Sequence, residues 1–199
     1  KKLLNEGIVE DASVKQAEDE FKRLLDDRFN EAKEIKKAKI THFLKDEWKD
    51  FNRVVDSTFF SKVDTSVDRK TLTFLAKKLY DIPKSSRFFK KTIKLLQERK
   101  SMIETSKMID WSMAELLAYA SLLNEDFHIR ISGQDVERGT FSHRHAILKV
   151  EDSEEEISPL QNINKSTNFE IYNSLLSEYG ALGFDYGYSI TLPNTLTIW

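Results

Sequence analysis

Apolar positions recur at helical spacing along the first third of the chain. Val14, Ala17, Phe21, Leu24, Leu25, Phe29, Ala32 and Ile35 form one stripe, and charges of both signs fill the remaining face. The spacing predicts a helix that opens on a capping box, Ser13-Val-Lys-Gln16, and runs to about Lys37. Residues 41–66 show no clean period. Their aromatic side chains, His42, Phe43, Trp48, Phe51, Phe59 and Phe60, predict an irregular connection packed onto a neighbour. Asp68 is placed to cap a short helix through Leu72, Leu75 and Leu79, which Pro83 ends. Ser85 or Ser86 then starts a helix with Phe89, Ile93, Leu96 and Ile103 on one face. Arg87, Lys90, Lys91 and Lys94 make its other face basic.

The texture changes after Lys107. Asp110 reads as the N-cap of a helix carrying Met113, Leu116, Leu117, Ala120 and Leu123, so poor in charge that most of its surface must be buried. His128-Ile-Arg-Ile131 follows as a short strand, with Ser132-Gly-Gln-Asp135 at its carboxyl end, where α/β sheets bind ligands. A second strand is expected at Leu196–Trp199. Helix, strand, loop, helix, strand is an α/β pattern with parallel pairing. Two short strands cannot bury their own faces, and the chain opens without methionine and stops at Thr197-Ile-Trp199. An incomplete domain is the expectation.

Composition sharpens that division. The 199 residues are 40% hydrophobic and 32% charged, as in a globular protein, and long enough for one or two domains. The net charge of −2 hides 25 basic against 18 acidic residues in positions 1–100, and 6 against 15 beyond them. Five of the six glycines lie after residue 130. We therefore divide the chain into a helical region, 1–105, and a differently built segment, 106–199. Cysteine is absent, which excludes disulfides and thiolate chemistry. No apolar run reaches the length of a membrane span and no signal peptide opens the chain, so a soluble intracellular protein is expected. Without stacking aromatics beside its basic helix, the chain does not read as a nucleic-acid binder.

Three stretches bear on chemistry. In Ile171–Tyr188, read as a helix, Gly180, Gly183 and Gly187 share a face and Glu178 stands at its head. Aligned glycines cost helix stability, and close approach of a second backbone or a flat ligand is the usual reason for them. Pattern alone leaves Glu178 as either a catalytic acid or a solvated glutamate. Arg138-Gly-Thr-Phe-Ser-His-Arg-His145 sets His143 and His145 among arginines, which disfavours a metal and fits anion contact or structural hydrogen bonding. Glu151-Asp-Ser-Glu-Glu-Glu156 lacks the spaced ligands of a calcium loop and reads as solvated. No phosphate-cradling glycine motif occurs.

Longer runs carry a resemblance. Asp110-Trp111 with Ala114-Glu115, the stretch Arg130-Ile-Ser-Gly-Gln-Asp-Val-Glu-Arg-Gly-Thr-Phe-Ser-His-Arg-His-Ala146, then Asn173–Tyr188 and Leu196-Thr-Ile-Trp199, resemble in order the decarboxylating component of the 2-oxoglutarate dehydrogenase complex. The close likeness spans about Asp110–Trp199. Upstream, Glu6-Gly-Ile-Val9 and the helix after it are similar, more loosely, to that family's interdomain helices.

The resemblance implies an α/β fold: the N-terminal part of a transketolase-like, pyrimidine-type thiamine-diphosphate-binding domain with few parallel strands, preceded by helices. It implies thiamine diphosphate and magnesium in the parent enzyme, and neither bound to this piece, whose metal ligands lie elsewhere. By position Glu178 is the glutamate that hydrogen-bonds the pyrimidine ring nitrogen, with Gln134 and Asp135 near the cofactor or serving as structural caps. A proton shared by Glu178 and the ring favours the form that generates the ylid, which attacks the keto carbon of a 2-oxo acid. Apolar, glycine-lined surroundings are expected to raise the pKa of Glu178. The activity implied is decarboxylation of 2-oxoglutarate in the tricarboxylic acid cycle, with succinyl transfer to a lipoyl arm. Implied partners are a second copy, in a homodimer, and the lipoyl-bearing succinyltransferase; no membrane or nucleic acid is involved. The setting implied is the bacterial cytoplasm or, in a eukaryote, the mitochondrial matrix. A 2-oxoadipate-type enzyme, and a non-catalytic helical docking module, are the alternatives.

Overall fold

The computed structural model describes residues 2–35, 37, 42–51, 59–83, 86–106, 108–153, 155–175 and 177–199. Residues 52–58 of the expected irregular connection, and Ser85, lie outside them. The chain forms two compact units, Lys1–Lys45 and Asp46–Trp199.

In the first unit a short helix, α1 (Lys2–Asn5), is followed by a turn at Gly7. The glycine has φ +65°, and Gly7 and Ile8 donate their N–H groups back to Leu4 and Leu3, which satisfies carbonyls that the helix leaves open. The long helix α2 (Asp11–Glu34) begins two residues before the expected capping box and stops short of Lys37. Ser13 already donates its N–H to Glu10 within the first turn, and Gln16 turns outward to Glu20, so the box does not form. The apolar stripe is present as predicted, yet Phe21, Leu24, Leu25 and Phe29 are all exposed.

The second unit starts with turns around Trp48. Its indole Nε1 donates to the carbonyl of Ile190 at 2.7 Å, a long-range anchor of the kind expected. The expectation that the other aromatics pack onto a neighbour fails for Phe59 and Phe60, which touch each other edge-on and stay exposed. Helix α3 (Arg69–Tyr80) follows its predicted cap: Asp68 accepts from the Thr71 N–H at 3.0 Å, and Leu75, Ala76 and Leu79 are buried. Helix α4 (Lys90–Ser101) starts later than Ser86, because Phe88 is drawn into a β-bridge with Val150 and buried there. Arg87, expected on its open basic face, is paired with Glu151 at 2.9 Å and with Asp152. Part of the acidic run is thereby tied to α4's lead-in rather than only solvated. A π-helical turn, Met102–Ser106, follows α4.

Helix α5 (Trp111–Asn124) matches its prediction closely. Asp110 accepts from Met113 N–H at 2.7 Å, and Met113, Leu116, Leu117, Ala120 and Leu123 are buried. It leads into strand β1 (His128–Gly133). A small antiparallel pair, β2 (Leu148–Lys149) and β3 (Glu156–Ile157), comes next. Then come β4 (Phe169–Asn173), helix α6 (Glu178–Thr191) and β5 (Thr195–Ile198). The main sheet has the order β4-β1-β5, and β1 pairs in parallel with both neighbours, as an α/β fold requires. Strand β4 was not expected: Ile171 to Asn173 belong to it, not to the helix, which begins only at Glu178.

Alternation along β1 decides what covers each face of this sheet. Ile129 and Ile131 point into a core shared with α5, α3 and β4, built from Leu75, Met113, Leu116, Leu123, Leu160 and Phe169 among others. Each such fully buried side chain contributes roughly 1.5–3 kcal/mol of transfer free energy. Arg130 and Ser132 point the other way, toward α6. The central strand is therefore covered by α5 on one face and α6 on the other.

Candidate functional site

Beyond the carboxyl end of β1 lies a cleft of about 340 Å³, lined by Ser132, Gly133, Gln134, Val136, Ser174, Glu178 and Trp199. Two larger clefts, about 680 and 860 Å³, lie along α3 and the start of α4. The smaller one is the better candidate. It sits at the carboxyl end of the central parallel strand, and an acid, an amide and an indole converge on it.

Its walls follow from local structure. Gly133 ends β1 with φ +147°; a Cβ there would stand 3.1 Å from Val136 and 3.9 Å from the Trp199 ring. The chain then turns through Asp135, at φ +52°, and Gly133 O receives the N–H of Ser174 at 2.8 Å, which ties the end of β4 to the rim. Ser177 caps α6 by accepting from Gly180 N–H, and Glu178 is the first helical residue after it. Glu178, Ala181 and Asp185 recur at i, i+3 and i+7, so they share the face toward β1. Ala181 and Asp185 are buried, whereas Glu178 clears the end of the sheet and is exposed at the cleft. The apolar enclosure expected around Glu178 is not supplied by the described residues.

The other predicted residues separate. Gln134 lines the cleft. Asp135 turns to Arg138, at 2.6 Å, and that hydrogen bond holds its carboxyl below the ordinary aspartate range. The histidine loop is clamped from behind rather than opened to the cleft. Arg99, 3% exposed, donates to the carbonyls of His143 (3.2 Å) and Arg144 (2.5 Å). Burial pulls its guanidinium down to about 10, against which Asp110 acts. Ser112 donates to the His143 carbonyl as well. Gly139, at φ +82°, lies against the His143 ring: a Cβ there would come within 2.4 Å of it. His145 bonds to Ser142, and burial lowers its imidazole below the ordinary value, with Arg99 and Arg138 adding to the effect. Among the described residues no group of three or more His, Asp and Glu is placed to hold a metal ion.

Gly183 and Gly187 of α6 face open space. Nothing lies within 4 Å of a Cβ built at Gly183 or Gly187, and Tyr179, Leu182 and Tyr186 around them are exposed. No second backbone approaches that face from the described part of this chain.

Two partly buried ion pairs escaped the sequence reasoning. Arg144 grips Glu115, which also receives the Tyr119 hydroxyl at 2.7 Å. Arg130 and Ser132 of β1 both donate to Asp185 of α6, at 2.5 and 2.6 Å. The available signal for the second was Asp185 itself, an acid two helical turns from Glu178 on the same face.

Comparison with known proteins agrees with this geometry. Residues 107–199 match the family model of the transketolase pyrimidine-binding domain. The 2-oxoglutarate dehydrogenase E1 component of Rickettsia felis is 40% identical over 198 residues, which is 99% of this chain and 20% of that protein. The E1 component of Brucella anthropi is 36% identical over 199 residues, again 20% of its length. That of Oceanobacillus iheyensis is 45% identical over 136 residues, 68% of this chain and 14% of that protein. The chain thus spans about a fifth of the length of the curated relatives it matches. Its residues 107–199 are similar to the transketolase pyrimidine-binding domain, and the chain as a whole is similar to one stretch of a 2-oxoglutarate dehydrogenase E1 component.

Proposed function

We propose that this chain works as part of a thiamine diphosphate-dependent E1-type enzyme, a homodimer that decarboxylates 2-oxoglutarate and passes the succinyl group to the lipoyl arm of a succinyltransferase. The observation that supports it most is the convergence of Glu178, Gln134 and Trp199 on one cleft at the carboxyl end of β1. In this reading residues 106–199 are the pyrimidine-binding part and 1–105 the helical lead-in.

The residues present fit one half of the cofactor. A flat, nitrogen-bearing ring needs a narrow slot, an apolar surface and a carboxyl at its edge. Gly133 and Val136 supply the slot, Trp199 the surface and Glu178 the carboxyl. The diphosphate and its magnesium need cations, backbone N–H groups or a carboxylate cluster, and the described residues around the cleft offer no such set. Magnesium is therefore not assigned to the described residues. Thiamine diphosphate, when bound, supplies the carbanion-stabilising chemistry that decarboxylation of a 2-oxo acid needs. With the ring bound, Glu178 would hold or share a proton at its carboxyl oxygen with the ring nitrogen, and Gln134, which lines the same cleft, would orient the ring's polar edge. Asp135 is assigned to holding the turn through Arg138 rather than to the cofactor itself. The exposed Tyr179, Leu182 and Tyr186 beside the glycine face of α6 support a subunit interface there.

In the complete enzyme, Glu178→Ala is expected to lower turnover about 10²–10⁴-fold, the range for a lost acid–base group. Unchanged turnover sinks the assignment. The 199-residue chain alone is expected to bind no thiamine diphosphate in calorimetric titration with magnesium, and micromolar binding would show that the half-site suffices.

A further inference from the structure

Asp185 is 5% exposed, and both of its carboxylate oxygens are used by β1. Oδ1 takes the Nη1 of Arg130 at 2.5 Å and Oδ2 takes the hydroxyl of Ser132 at 2.6 Å. Arg130 and Ser132 are successive same-face positions of the strand, so one carboxylate spans a full pleat of β1. A helix attached in this way cannot slide by a turn, about 5.4 Å, without losing both bonds. The guanidinium of Arg130 is fixed in turn from three sides. It lies 4.8 Å from the Phe184 ring and 5.0 Å from the Tyr188 ring, both on α6, and 5.5 Å from Tyr172 on β4. Glu170 of β4 stands 3.8 Å away. Rings from two elements and a planar cation make a joint that lysine cannot reproduce.

This joint sits directly behind the cleft. Ser132, which donates to Asp185, is also a wall of the cleft, and Asp185 lies two helical turns from Glu178 on the face toward β1.

We propose that Asp185 is a positioning residue: its double attachment to Arg130 and Ser132 sets where Glu178 stands at the cofactor ring. The proposal rests on the thiamine diphosphate reading above and adds to it a means by which the fold places the acid. Asp185→Asn keeps the side chain's size and one acceptor, but removes the charge that Arg130 needs.

The test is a double-mutant cycle in the complete enzyme with Glu178→Ala and Asp185→Asn, read by calorimetric affinity for thiamine diphosphate with magnesium and by turnover at saturating cofactor. Asp185→Asn alone is expected to weaken cofactor binding about 10–100-fold, the range for residues that orient a ligating group. The Michaelis constant for the 2-oxo acid should stay within about twofold. In the Glu178→Ala background the same substitution should cost nothing further, since it acts through the missing carboxyl. Additive losses overturn the proposal and leave Asp185 as a fold-stabilising residue. A Glu178→Ala enzyme with unaltered affinity and turnover fails the underlying reading instead, whatever Asp185 does. Should Asp185→Asn not fold, Ser132→Ala removes one of the two bonds and keeps the ion pair. It should weaken cofactor binding about 2–10-fold, one hydrogen bond's contribution, again only when Glu178 is present. No effect of Ser132→Ala would overturn the proposal equally.

Discussion

Glu115→Gln is the most informative single change to the fold around the site. Glu115 projects from α5 into three donors: the Nε of Arg144 reaches both of its oxygens (3.2 and 3.1 Å), Arg144 Nη2 reaches Oε1 at 2.8 Å, and the Tyr119 hydroxyl reaches Oε1 at 2.7 Å. Arg144 also donates to the Val136 carbonyl at 2.6 Å, so the pair fastens the histidine loop and the turn below the cleft to α5. Breaking a buried ion pair from one side costs about 3–5 kcal/mol, because the remaining charge stays desolvated. Here the side chains are 14% and 25% exposed, and water softens the penalty to about 2–3 kcal/mol. For a chain of this size that is a fall in melting temperature of about 4–12 °C. Urea unfolding of the 199-residue chain reads the difference directly.

Acid supplies a second arm to the test. Burial alone would push the Glu115 carboxyl up, but hydrogen bonds from Arg144 and Tyr119 outweigh it and hold the group below its ordinary value. A depressed carboxyl stabilises fully above its unfolded-state pKa, about 4.3, and that stability is lost as pH falls through the folded value. The gap between wild type and Glu115→Gln should therefore be flat from neutrality down to about pH 5 and close below it. A gap under about 0.5 kcal/mol, or one that persists unchanged into acid, would refute the argument. Replacing both partners with apolar residues, Glu115→Leu with Arg144→Met, should cost less than Glu115→Gln alone.

Three further outcomes are expected, all measured by denaturation of the same chain. Asp110→Ala removes the N-cap of α5 and should cost about 1 kcal/mol, whereas Asp110→Asn should retain most of it. Gly139→Ala meets both a left-handed backbone and the His143 ring, and a loss of at least about 2 kcal/mol is expected; a neutral result would mean the loop relaxes freely. Gly183→Ala adds a methyl group to open space within a helix, so it should stabilise the isolated chain by up to about 1 kcal/mol. In the complete enzyme the same change should weaken subunit association if the proposed interface lies over that face, which sedimentation would detect.

The sequence was most legible where one residue type does one local job. Asp68 and Asp110 cap the helices that their side chains predicted, and Ile129 and Ile131 place β1 with the Ser132–Asp135 turn at its carboxyl end. It was least legible where a partner distant in the chain decides the outcome. A helix starting at Ser85 or Ser86 would include Phe88, yet the bridge to Val150 keeps it out. Ile171 continues the pattern of the run after it, but pairing with Ile131 draws it into β4. The glycine spacing predicted a closely approached face of α6, which the described residues leave open, while Asp185 on the opposite face is recognisable as a partner only once Arg130 and Ser132 stand beside it. Glu178 was singled out correctly as the acid at the head of a helix, and its exposure shows that its enclosure is not built by the described residues.

The order of strands β4-β1-β5 has a consequence for how the chain is made. The central strand is the first of the three to leave the ribosome, and both of its hydrogen-bonding partners lie downstream, the second at the very end of this stretch. Such non-local parallel pairing folds slowly, since loop-closure entropy is spent before any ladder bond forms. Until β5 is synthesised, β1 offers at least one bare edge rich in isoleucine, a template for pairing between nascent chains. Arg130, in the middle of that strand, sets a charge between Ile129 and Ile131, which disfavours such pairing until Asp185 of α6 covers it.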